Sequence, residues 1–65
     1  MTIKVGNTYP IEGELFTVKG IYRDQAQDGR AILVTEVFNR DGDKVRDQKI
    51  PADVFASYAE NEAWL

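Results

Sequence analysis

The sequence predicts a small α+β domain: an antiparallel sheet or partly open barrel of three to five strands, followed by one C-terminal helix. Three observations predict it. Asp28-Gly29 and Asp41-Gly42 are dipeptides that accept the positive backbone φ of tight hairpin turns. The segments around them are rich in β-branched and aromatic residues, which suit a pleated, half-buried surface. After Pro51 the pattern changes to alanine and phenylalanine at helical spacing.

Taken in order, strands are expected over about residues 2–5, 8–12, 14–23, 31–39 and 44–50, with a helix over about 52–64. The opening, Ile3 to Ile11, reads as short strands around a turn at Gly6-Asn7. Leu15 to Arg23 is a long strand with Phe16, Val18 and Tyr22 on one face and Leu15, Thr17, Lys19, Ile21 and Arg23 on the other. Gly20 in its middle marks a bulge or bend. Ala31 to Asn39 is apolar on both faces, Ile32/Val34/Phe38 and Leu33/Val37, which fits a central strand covered on both sides. Val45 to Ile50 carries Asp47, Gln48 and Lys49, the composition of an edge strand. Pro51 suits a first helical turn, and Asp53 favours the same end electrostatically. Ala52, Phe55, Ala56, Ala59 and Ala63 form one stripe of that helix. Phe16, Val18, Leu33, Val37 and Phe55 are the expected core.

Length bounds the rest. Sixty-five residues make one domain, 1–65, which buries about 60% of the surface its unfolded chain exposes. A core of that size supplies roughly 3–5 kcal/mol. Cysteine and histidine are both absent, which removes disulfides, thiolate metal sites and the usual general base near neutral pH. A hydrophobic content of 43% with seven aromatic residues (three Tyr, three Phe, one Trp) is that of a folded domain. No apolar run approaches the ~20 residues of a membrane span, and Met1 to Val5 lacks the apolar stretch of a signal peptide. The expected compartment is the cytoplasm.

Lys49-Ile50-Pro51-Ala52-Asp53-Val54-Phe55 resembles the closing segment of SH3 domains, where an Ile-Pro-x-Asn-Tyr-Val type stretch forms a short 3₁₀ turn. The resemblance implies an SH3-like barrel. The Ala-Leu-Tyr-Asp-Tyr type opening and the paired tryptophans of the SH3 ligand groove are absent, so proline-rich peptide binding is not implied.

Catalytic chemistry finds no footing. Ser57 is the sole serine and has no histidine to activate it. Glu12 and Glu14 alternate at strand spacing and read as a solvated pair beside Gly13. Asp24-Gln25-Ala26-Gln27-Asp28-Gly29 matches part of a calcium loop, but Ala26 and Thr35 stand where ligands belong, so it reads as a polar hairpin. No metal and no cofactor are expected.

Two surfaces remain. Lys19, Arg23, Lys44, Arg46 and Lys49, with Arg40, form a basic stripe that small barrels use to bind nucleic acid beside aromatic side chains such as Tyr22. Asp41, Asp43 and Asp47 interleave with it and cancel much of its field. Residues 1–50 balance eight basic against eight acidic side chains, and the net charge of −3 comes from Asp53, Glu60 and Glu62. That balance disfavours a nucleic-acid partner. The second surface is apolar: Phe38, Tyr58, Trp64 and Leu65 exceed what one sheet face and one helix stripe bury. Trp64 has two readings, an anchor for a partner or a side chain folded back on the sheet. The expected function is a non-enzymatic protein–protein interaction module that binds itself, as a homodimer, or another protein. Its size suits a small regulator or inhibitor such as a phage or mobile element encodes. The alternative is a nucleic-acid-associated barrel.

Overall fold

A computed structural model of the chain describes residues 3–62, with side chains through Tyr58. Strands β1 (Thr8–Ile11), β2 (Glu14–Asp24), β3 (Arg30–Phe38) and β4 (Lys44–Pro51) follow one another as an antiparallel meander. Their order in the sheet is their order in the chain. A 3₁₀ turn, Gln25–Gln27, sits in the β2–β3 hairpin, and helix α1 (Ala52–Glu62) follows β4 directly.

The sheet is open. β1 and β4 are its two edges and do not pair with each other, so the sheet does not close into a complete barrel. The segment that resembles an SH3 closing turn ends β4 at Pro51 and enters an α-helix. Ala52, Ala56 and Ala59 are strong helix formers, and Asp53 lies in the first turn, where a negative charge meets the helix dipole favourably.

Turn chemistry sets the hairpins. Glu12 (φ 50°) and Gly13 (φ 81°) join Ile11 to Glu14 in a two-residue turn with both central φ values positive. Asn39 organises the β3–β4 turn, its side-chain oxygen accepting from the N–H groups of Asp41 and Asp43, both at 3.0 Å. Asp24 does the same for the 3₁₀ turn, accepting from the Ala26 N–H at 3.0 Å and the Gln27 side-chain amide at 3.0 Å. Its carboxylate is thereby committed to the loop.

Two expectations need correction. No strand forms over residues 3–5; Gly6 has a φ of 94° and breaks the extended run before Thr8. The segment stays tied down because the Gly6 N–H donates to the Val18 carbonyl at 2.7 Å and the Val18 N–H donates to the Asn7 carbonyl at 3.0 Å. The second concerns Tyr22 and Ile21. The bulge at Gly20 sets Val18 opposite Thr35 but Gly20 opposite Val34, one extra residue on β2. Every later side chain therefore changes face: Tyr22 joins Ile32, and Ile21 joins Leu33.

The helix covers one face. Ile11, Phe16, Val18, Leu33, Val37 and Phe55 form the core there, with Ile3, Tyr9, Ile50 and Ala52 packed against it. All five expected core residues are in it. Phe55 sits edge-on to Tyr9 (5.5 Å between centroids) and Phe16 (6.0 Å). Thr35, also fully buried, satisfies its hydroxyl by donating to the Gln48 carbonyl at 2.7 Å. On the opposite face lie Leu15, Ile32, Val34 and Phe38, and no described element packs over them. Ile32 is nonetheless buried, between its cross-strand neighbours Tyr22 and Pro51.

Candidate functional site

On the helix side, α1 and the upper half of β4 enclose a groove of about 330 Å³. Its apolar lining includes Ile11, Phe16, Ile50, Val54 and Tyr58, and its polar lining includes Glu14, Arg46 and Gln48. Cross-strand pairing explains this set. Tyr9 lies opposite Phe16 and Phe16 opposite Val37, which lies opposite Arg46, so these side chains share one face. Val54 and Tyr58, four residues apart, stack along one side of the helix. Tyr58 is 50% exposed.

One ion pair belongs to the groove's lining. The Arg46 guanidinium donates to both Glu14 oxygens, at 2.9 and 3.0 Å, and through Nε to the Gln48 side-chain oxygen at 2.8 Å. It also lies 5.9 Å from the centroid of the Phe16 ring. Arg46 holds the Glu14 carboxyl below its ordinary value near 4.5, chiefly by that hydrogen bonding. The Asp53 carboxyl is lowered in the same way by Arg30, 3.1 Å away. Because both are depressed in the folded state, their contribution to stability is present above the ordinary carboxylate range and is lost as pH falls through the folded values. The melting midpoint is therefore expected to drop on acidification below about pH 4.5. Glu14→Gln is expected to show a smaller drop, read by thermal melts across pH. An identical drop in the variant contradicts the pairing.

The basic stripe divides between the two faces. Arg46 belongs to the groove, and Arg23 donates to the Gly29 carbonyl at 2.9 Å. Lys19 and Lys44 lie on the open face, at 3.4 and 3.3 Å from the two oxygens of Glu36. Lys44 also meets Asp47 at 2.9 Å, and these carboxylates raise its pKa. Lys49 sits 5.7 Å from the centroid of the Tyr22 ring, which is 39% exposed.

The apolar candidates divide as well. Phe38 is half-buried on the open face beside Leu15, whereas Tyr58 lines the groove on the other side. They share no surface. Trp64 and Leu65 lie outside the described residues. Glu12 and Glu14 do not form a strand pair either, because Glu12 occupies the turn and Glu14 binds Arg46. Ser57 is exposed on α1. Among the described residues no three acidic side chains converge as a metal site would require, and no helix is long and apolar enough to cross a membrane.

The groove was invisible to sequence reading because Glu14 and Arg46 are 32 residues apart. Their pairing depends on register across three strands. No family model, no curated protein and no solved structure matches the chain.

Proposed function

We propose that the chain is a non-enzymatic protein–protein interaction module whose contact surface is the groove between α1 and β4. The observation that carries this reading is a half-exposed tyrosine, Tyr58, beside an apolar floor of Phe16, Ile50 and Val54. Tyrosine at such a position supplies large contact area and a polar tip at low entropic cost. The fixed Arg46–Glu14 pair presents oriented polar groups at the rim, and Gln48 adds a further amide. A protein segment with one apolar anchor and flanking hydrogen-bonding groups fits this lining.

Peptide-display selection on the folded protein, followed by amide chemical-shift mapping, tests it. Selected peptides are expected to shift Ile11, Phe16, Gln48, Val54 and Tyr58. Tyr58→Ala is expected to weaken them about tenfold, the loss of a moderate interface anchor. Selection without binders, or shifts confined to the open face, overturns the groove.

The nucleic-acid reading draws on Lys19, Lys44 and Lys49 lying on the open face with Tyr22. Glu36 and Asp47 bridge two of those lysines, which leaves little net positive field. Fluorescence anisotropy with DNA and RNA at about 0.15 M salt is expected to show no complex tighter than the 10⁻⁴–10⁻⁶ M of non-specific binding. A submicromolar complex lost on reversing Lys44 and Lys49 would make nucleic acid the partner instead.

A further inference from the structure

The two edges of the sheet are unequal. β1 has four residues and includes Pro10, which offers no N–H to a new strand. β4 has eight, and within them Asp47 and Lys49 lie on the open face, two positions apart.

The hydrogen bond from Thr35 fixes which groups of β4 point outward. The Gln48 carbonyl accepts from the Thr35 hydroxyl at 2.7 Å, so it faces β3. Backbone groups alternate along a strand, which turns the N–H and C=O of Asp47 and Lys49 away from β3, off the sheet. A strand added to this edge must bond to those two residues.

We infer that β4 pairs with β4 of a second copy of this chain, antiparallel about a two-fold axis through Gln48. Register decides the partner. Outward groups must meet outward groups, which leaves centres at Arg46, Asp47, Gln48 or Lys49. Centring on Arg46, Asp47 or Lys49 sets a charge against itself. Centring on Gln48 sets each Asp47 opposite Lys49 of the second copy, two opposite-charge pairs on the open face. The charges that guard this edge against other strands thus admit its own sequence in one register. Pairing of this kind joins two four-stranded sheets into one of eight and brings the two grooves side by side. It rests on the reading of the chain as an interaction module and names one partner for it.

A thiol scan and a charge swap test the register. The chain has no cysteine. A non-hydrogen-bonded pair on the two-fold axis has Cα atoms about 4.5 Å apart, within the range a disulfide spans. Gln48→Cys is therefore expected to form a covalent dimer under mild oxidation, whereas Arg46→Cys, opposite Ile50 in this register, is not. By sedimentation equilibrium the wild type is expected to self-associate. Asp47→Lys is expected to weaken association about tenfold, and D47K/K49D to restore it. Circular dichroism melts confirm that each variant folds. A wild type monomeric at every concentration, cross-linking at 46 but not 48, or no recovery in the swap overturns the inference. The peptide selection on Tyr58 reads the groove separately, so either result stands without the other.

Discussion

Truncating Phe55 to alanine is expected to cost about 3–5 kcal/mol, which is comparable to the whole stability of a domain this small. The ring is fully buried and sits edge-on to both Tyr9 and Phe16. Residue 55 therefore holds the helix to β1 and β2 at once. Isolated helices of this length are marginal, so α1 persists through this contact more than through its own propensity. Denaturant melts at 25 °C are expected to show Phe55→Ala largely unfolded, with the helical signal lost together with the sheet. A variant that melts cooperatively near the wild-type midpoint would detach the helix from the core.

That prediction was legible in the sequence, and the reason is local. Phe55 stands in an alanine-rich helical stripe, and Phe16/Val18 and Leu33/Val37 alternate within uninterrupted strand segments, so period alone assigns their face. The assignment failed at Tyr22 because one glycine shifted the register. A glycine in a strand signals a bulge or bend without saying which, and only a bulge reverses the parity of every residue after it. The expected opening strand is absent although the turn beside it forms: residues 3 and 4 join no ladder, and the Lys4 N–H donates to the Tyr9 hydroxyl at 3.1 Å instead. The edge character of β4 was also legible, from Asp47, Gln48 and Lys49. The groove was not. Glu14, Arg46 and Tyr58 come from three elements, and nothing short-range in the chain relates them. The even charge balance of residues 1–50 hid a specific arrangement in which Glu14, Glu36 and Asp47 each hold a named cation.

β3 provides the second large effect, through a contrast between its two faces. Leu33 is fully buried under α1, whereas Phe38 is half-buried on the face that no described element covers. Leu33→Ala is expected to cost about 2–5 kcal/mol, because α1 and the neighbouring strands cannot collapse into the space left. Phe38→Ala removes a larger side chain yet is expected to cost only about 1–2 kcal/mol, since part of its surface already meets water on the face that no described element covers. Size alone predicts the reverse order, so the ranking reports which face is the core. Both variants are read by urea melts at two protein concentrations tenfold or more apart. A Phe38→Ala cost that matches Leu33→Ala at high concentration and shrinks on dilution would mean that a second copy covers the open face. A matching cost independent of concentration would place the core on both sides of β3, contrary to the packing seen here.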